Sequence, residues 1–78
     1  MTKEQEIYRN MKKKGRIYKA YGKWGIGYAS LYVSIKEAGY EDDAVNQIIQ
    51  GMKNKEYIRE SKSRTNKGLK YIIEKWVN

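Results

Sequence analysis

The amino-acid sequence predicts a mainly α-helical single domain over residues 1–78, with three core helices, a short β-hairpin and a C-terminal helix. Three observations support this prediction. Apolar residues recur at the spacing of one helix face in several separate segments. One short run between them has the composition of a β-strand. Proline, which interrupts helices, is absent from the 78 residues, and a chain of this length holds one domain with one small core.

The N-terminal segment, residues 3–14, is predicted to be helical because Ile7 and Met11 share one helix face. The same apolar stripe continues past Gly15 to about Tyr21. A glycine inside a helix costs about 1 kcal/mol. The alternatives are therefore one long helix to Tyr21 or two pieces hinged at Gly15, and we favour a break near Gly15.

Three glycines among residues 22–27 predict a turn rather than a helix. A phosphate-binding loop would need a preceding strand and the spacing GxGxxG or GxxxxGK. Gly25 and Gly27 have no third glycine at that spacing, so nucleotide binding is not favoured.

The central stretch, residues 27–58, has the pattern helix, tight turn, helix, strand. Residues 28–35 and 45–52 each carry apolar side chains at positions i, i+3, i+4 and i+7, the spacing of an amphipathic helix. Gly39 stops the first helix, and Asp42 suits the positively polarised start of the second. Two helices joined in this way form a helix-turn-helix layout, although an ordinary αα-hairpin has the same spacing.

The last third of the chain predicts a short strand followed by a helix. Residues 57–59 are β-prone and bounded by polar residues. The C-terminal helix is predicted from apolar residues at the spacing of one helix face: Leu69, Ile72, Ile73 and Trp76.

Charge is the strongest sequence-level indication of function. The net charge is +8, from 17 basic and 9 acidic residues, and no acid occurs between Glu6 and Glu37 or between Glu60 and Glu74. A basic domain of this size usually binds an anion, most often nucleic acid. The alternative is a lysine-rich surface that is merely solvated.

Several classes of function are disfavoured by composition. The chain has no cysteine and no histidine, which removes disulfides, thiolate metal sites, the usual general base and the commonest metal ligand. No pair of acidic residues has the spacing of a catalytic motif, so we expect neither enzymatic activity nor a cofactor. No apolar run reaches membrane-spanning length and no signal peptide is visible, so we expect a cytoplasmic protein without a membrane partner.

The polar side of the second central helix supplies candidate base contacts, because amide side chains can bond bidentately to the adenine edge in the major groove. Asp42 and Asp43 weigh against this interpretation, since carboxylates at a helix start would repel phosphates. The predicted DNA-binding residues are Lys12, Lys13, Lys14, Arg16, Lys19, Lys23, Asn46, Gln47, Gln50, Lys53, Lys62, Arg64 and Lys67.

Aromatic residues are interleaved with the first basic stretch, as in many single-strand binders: Tyr18, Tyr21, Trp24, Tyr28 and Tyr32. The four tyrosines also fall on the apolar stripes, and the chain has no phenylalanine to fill a core. We therefore favour core packing over base stacking for these side chains.

Residues 45–61 followed by residues 65–76 resemble winged helix-turn-helix regulators of the MarR and PadR type. In that family, a helix ends in a Lys-Gly-Tyr-Ile phrase that leads into a two-stranded wing, and a Thr-x-x-Gly phrase opens the final helix. Residues 52–58 correspond to the first phrase, with Glu56 in place of the glycine, and residues 65–68 to the second. The resemblance implies a very short wing and a duplex-DNA-binding regulator of transcription or replication.

A second resemblance is to the three-helix repeats of RecX regulatory proteins, which contain a Lys-Gly-x-Gly phrase, an amphipathic helix and then a helix with an acidic start. Residues 23–27 and 38–43 are similar to these phrases. That family acts mainly by binding a recombinase filament. The alternative function is therefore a protein-interaction module that modulates a partner. The oligomeric state is left open, a homodimer included.

Overall fold

The computed structural model describes residues 2–20, 22–61 and 70–77. Its four strands form one antiparallel sheet in the order β1-β2-β4-β3. Along the chain the elements are α1 (Lys3–Met11), β1 (Ile17–Ala20), β2 (Lys23–Ile26), α2 (Tyr28–Glu37), α3 (Asp42–Asn54), β3 (Ile58–Glu60) and β4 (Tyr71–Ile73).

The predicted mainly α-helical fold class is wrong, because the described residues form a four-stranded antiparallel sheet beside the three helices, where only a short hairpin was expected. Where a C-terminal helix was expected, the chain instead forms β4, which lies between β2 and β3. Tyr71 and Ile73 are buried while Ile72 is half-buried, the alternation of a strand. A short apolar run fits a strand or a helix equally well, and here pairing on both sides decides for the strand. Leu69 lies outside the described residues.

The N-terminal third has the favoured break near Gly15, but only the segment before the break is helical. Helix α1 ends at Met11, and Gly15 lies in a turn with φ +84°, so the expected break is present and the helix to Tyr21 is not. Residues 17–26 form the β1–β2 hairpin, in which Gly22 has φ +78°. Only the first glycine of the predicted turn therefore lies in a turn, because Gly25 pairs within the sheet.

The two central helices and the strand after them are confirmed. Helix α2 ends at Glu37, and Gly39, just after the C-cap Ala38, has φ +100°, a backbone conformation that residues with a side chain rarely adopt. Helix α1 begins with a capping box, in which the Thr2 hydroxyl accepts the Gln5 N–H at 3.1 Å and the Gln5 side chain accepts the Thr2 N–H at 2.7 Å. Among the described residues, no helix is long and apolar enough to cross a membrane.

One face of the sheet packs against all three helices. The register pairs Ile17 with Ile26 and Ile26 with Tyr71, so these side chains share a face. The opposite face carries Tyr18, Gly25, Ile72 and Arg59 in one row across the strands. The buried core is Ile7, Tyr8, Met11, Ile26, Leu31, Ile35, Ala38, Val45, Ile49, Met52, Ile58, Tyr71 and Ile73.

Candidate nucleic-acid interface

The solvent side of α3 brings the three predicted base-contacting amides together. Asn46, Gln47 and Gln50 are exposed, whereas Val45 and Ile49 on the same helix are buried. Because the buried side chains fix the rotation of the helix, its amide side faces solvent. This side chain arrangement presents donors and acceptors of the kind that read base edges.

Two of these amides have local hydrogen bonds. The Tyr28 hydroxyl donates to the Asn46 side-chain oxygen at 3.2 Å, and the Gln50 side-chain nitrogen donates to Asn54 at 3.1 Å. Within the described ranges, Gln47 has no hydrogen-bond partner for its side chain. The Asn46 amide nitrogen and the Gln50 amide oxygen remain available to a ligand.

The acidic start of α3 is partly neutralised by α2. Lys36 lies 2.7 Å from an Asp42 carboxylate oxygen, and the Tyr32 hydroxyl donates to the same oxygen. The Lys36 ammonium first, and then the Tyr32 hydroxyl, lower the pKa of Asp42. Asp43 is exposed and forms no ion pair with any residue the structure describes. The expected repulsion of phosphates therefore rests mainly on Asp43, a distinction that sequence spacing did not reveal.

Both ends of the amide side of α3 lie beside one end of the sheet. Tyr28, which bonds Asn46, follows Ile26 at the end of β2. Lys53, in the last turn of α3, forms an ion pair at 2.9 Å with Glu60, the last residue of β3. Glu60 and Ile26 both pair with Tyr71, so α3 lies at the end of the sheet where β3 ends and β4 begins. The predicted contacts Lys62, Arg64 and Lys67 lie between β3 and β4 in the sequence and outside the described residues.

Arg16 forms an ion pair with Glu37 of α2 and is a poor candidate for a phosphate contact. Its guanidinium nitrogens lie 2.5 and 3.1 Å from the two carboxylate oxygens of Glu37, at the end of α2, and Nη1 also donates to the Asn10 carbonyl at 3.0 Å. The Arg16 side chain is only 20% exposed, and Lys13 lies 3.2 Å from the same carboxylate. Arg16 first, and then Lys13, lower the pKa of Glu37 to about 2.

Helix geometry separates this ion-pair cluster from the amide side of α3. At 3.6 residues per turn, Glu37 lies roughly 100–180° around α2 from Tyr28, Tyr32 and Lys36, which face α3. Lys13 and Arg16 therefore lie across α2 from the amides, and the structure does not combine them into one surface.

The remaining lysines of the first basic stretch lie elsewhere. Lys12 is 5.1 Å from the Trp76 ring centroid, and Lys19 is 6.0 Å from that of Trp24. Lys14 and Lys23 are exposed, and neither forms an ion pair within the described part of the chain. The register pairs Lys19 with Trp24 at the opposite end of the sheet from Ser61 and Lys70.

The aromatic side chains are divided between core and surface. Tyr32 packs against the core, as expected, but Tyr18 and Tyr28 are exposed, so the core prediction is wrong for these two tyrosines. Trp24 is also exposed, and Tyr21 lies outside the described residues. Tyr28 still has a role, because its hydroxyl orients Asn46.

Comparisons of this chain with protein-family models, curated proteins and solved structures found no match. The structure itself defines the class: an α+β domain in which an exposed, amide-bearing helix leads directly into a β-hairpin.

Proposed function

We propose that this protein is a cytoplasmic duplex-DNA-binding protein, a small regulator of transcription or replication that places the solvent side of α3 in the major groove. One observation carries the proposal: Asn46, Gln47 and Gln50 lie together on a helix whose other side is anchored in the core. An amide can donate to adenine N7 and accept from adenine N6 at the same time, which gives bidentate readout. The major groove is wide enough to admit an α-helix.

The element that follows α3 supports the same function. The resemblance to winged helix-turn-helix regulators implies a helix that leads into a two-stranded wing, and α3 is followed by the antiparallel pair β3 and β4. Their connection, residues 62–69, contains Lys62, Arg64 and Lys67 and no acid. We assign the main phosphate contacts to these three side chains because phosphate contacts set the position of a protein on the duplex.

The expected salt dependence follows from this smaller set of cations. Three phosphate contacts at about −0.9 each give a slope near −3 for log K against log salt. Lys62→Ala and Arg64→Ala should each make the slope shallower by about 1. Lys75→Ala removes the same charge beyond the opposite end of β4 and should leave the slope unchanged. A flat salt response with the unaltered protein would contradict DNA binding and favour a protein partner.

Base readout is tested separately on the amides. Asn46→Ala or Gln50→Ala should relax preference at one base pair by about 1–3 kcal/mol. Tyr28→Phe is the matched control for Asn46→Ala, since it removes the hydroxyl bonded to Asn46 and keeps the amide. Asn54→Ala is the matched control for Gln50→Ala, since it removes the side chain that accepts a hydrogen bond from Gln50 and keeps the Gln50 amide. These controls show how much of each effect comes from losing the local hydrogen bond. If Asn46→Ala and Gln50→Ala keep the base preferences of the unaltered protein, major-groove readout by α3 is refuted.

A further inference from the structure

We propose that the β1–β2 hairpin is a separate binding site for single-stranded nucleic acid, in which an unpaired base stacks on Trp24 while Lys19, on the same face, and Lys23, on the opposite face, contact the backbone phosphates. This inference goes beyond duplex binding by α3, because it uses a different element at the other end of the sheet and a different form of nucleic acid.

The first step of the argument is that the Trp24 ring is partly exposed and, within the described residues, is not packed against another aromatic ring. Trp24 shares a sheet face with Ile26, which is fully buried, yet Trp24 itself is 40% exposed. Strand β2 therefore extends beyond the buried core at Trp24. Trp24 makes no contact with another aromatic ring among residues 2–20, 22–61 and 70–77. Every nucleobase has a π-face that can stack on such a ring, regardless of sequence.

Trp76 shows that exposure alone does not create this site. Its exposed fraction, 37%, is close to that of Trp24, and a lysine nitrogen, that of Lys12, also lies near its ring. However, Trp76 packs against the buried ring of Tyr8, with centroids 5.9 Å apart. Trp76 is therefore the control for Trp24. The two side chains are similarly exposed and each has a lysine nearby, but only Trp76 is packed against another aromatic ring.

The second step is charge. The register places Lys19 directly opposite Trp24, and its ammonium nitrogen is 6.0 Å from the ring centroid. Lys23 is opposite Ala20, exposed, and without an ion pair in the described ranges. No acidic residue occurs between Glu6 and Glu37 in the sequence, so the hairpin itself has no carboxylate to compete with phosphate. An aromatic platform flanked by uncompensated cations is the arrangement that binds single strands.

The third step distinguishes a single strand from a duplex. In an intact duplex both faces of each internal base are already stacked, so the Trp24 ring has no partner there. An unpaired base offers a free face, and its flexible backbone can bring phosphates to lysines on either side of a narrow hairpin.

The experiment uses the two tryptophans as separate reporters in the full chain. Trp76→Phe leaves Trp24 as the only tryptophan, and its fluorescence should be quenched by oligo-dT at low salt. Trp24→Phe leaves Trp76, which should change little. No quenching of Trp24 at micromolar protein, or equal quenching of Trp76, would overturn the proposal.

Affinity measurements add a second, independent readout. Trp24→Leu should weaken oligo-dT binding by about 5- to 100-fold, the loss expected for one stacked base, whereas Trp24→Phe should retain most of it. Lys23→Ala should make the salt slope shallower by about 0.7. Lys70→Ala removes the same charge at the other end of the sheet, beside Ile26, and should leave the slope unchanged. If Trp24→Leu binds oligo-dT and oligo-U as tightly as the unaltered protein does, stacking on Trp24 is refuted.

The same variants separate this proposal from duplex binding. Trp24→Leu should leave duplex affinity unchanged, and Asn46→Ala should leave oligo-dT affinity unchanged. Absence of duplex binding by the unaltered protein, together with quenching of Trp24 by oligo-dT, would refute the function of α3 and support the hairpin site. Duplex binding by the unaltered protein, without quenching of Trp24 by oligo-dT, would refute the hairpin site alone.

Discussion

Glu56→Gly should stabilise the protein, because Glu56 occupies a backbone position that glycine prefers. Glu56 is the residue just after the C-cap of α3 and has φ +62°, the only non-glycine positive φ in the described ranges. Its N–H donates to the Lys53 carbonyl at 3.0 Å, and the next N–H, of Tyr57, donates to the Met52 carbonyl at 2.9 Å. These two bonds define a Schellman motif, which usually has glycine at this position. This is also where the Lys-Gly-Tyr-Ile phrase has its glycine.

The magnitude follows from two opposing terms. A left-handed conformation costs a residue with a side chain about 1–2 kcal/mol. Glycine recovers that cost but loses roughly 0.5–1 kcal/mol through its greater freedom in the unfolded chain. The expected net gain is about 0.5–1 kcal/mol, or roughly 2–8 °C in Tm for a domain of this size. Glu56 forms no ion pair with a described residue, so the substitution removes its carboxylate without breaking an ion pair there.

Urea denaturation followed by circular dichroism measures this gain, with a higher midpoint at an unchanged m-value. Glu56→Ala is the control for the carboxylate, because it removes the charge but keeps a Cβ at the same φ, and it should give little or no gain. Gly39→Ala is the converse control at the end of α2, where φ is +100° and a Cβ would meet no atom within 4 Å. It should cost about 1 kcal/mol. If Glu56→Gly is no more stable than Glu56→Ala, backbone strain at Glu56 is not the cause.

Two further predictions concern the ion-pair cluster and the core. Glu37 has a folded-state pKa lowered from 4.5 to about 2, so the stability it contributes is complete above about pH 4.5 and is lost as the pH falls toward 2. Glu37→Gln should abolish that part of the acid dependence in a pH series of urea midpoints, and an unchanged series would show that the pair with Arg16 contributes little. Tyr8→Phe should raise stability by about 1 kcal/mol, because the Tyr8 hydroxyl is buried and has no hydrogen-bond partner in the described part of the chain. A loss of stability in thermal melts would reveal a partner for that hydroxyl.

The helices were predictable from the sequence where local signals agreed. In α2 and α3 the apolar stripes, the glycine at Gly39 and the acidic residue Asp42 all indicate the same boundaries, and the structure confirms both helices. The sheet was not predictable in this way. The spacing from Met11 to Tyr18 continues a helical stripe, but the chain turns at Gly15 and enters β1. Strand pairing is a contact between distant residues, so no local period could show that β4 lies between β2 and β3.

The candidate interface was predictable only in part. Spacing on one helix correctly grouped Asn46, Gln47 and Gln50 on the exposed side of α3. The role of Arg16 could not be read from a run of basic residues, because its partner Glu37 lies 21 residues away on another helix. A sequence-level count of lysines and arginines therefore overestimates the cations available to DNA.

Strand register determines how the remaining positive charge is arranged. The two acid-free stretches of the sequence each include the connection of a β-hairpin, β1–β2 and β3–β4. Ile26, at the end of β2, pairs with Tyr71, at the start of β4, whereas Lys23 lies beside the β1–β2 turn. Lys23 therefore lies at one end of the sheet, and the end of β3 and the start of β4 lie at the other, in a structure whose described Cα atoms extend over 32 Å. A single straight duplex seated on α3 and residues 62–69 has no reason to reach Trp24. For this reason the hairpin is better understood as a second site than as an extension of the first, and variants at Asn46 and Trp24 should act independently.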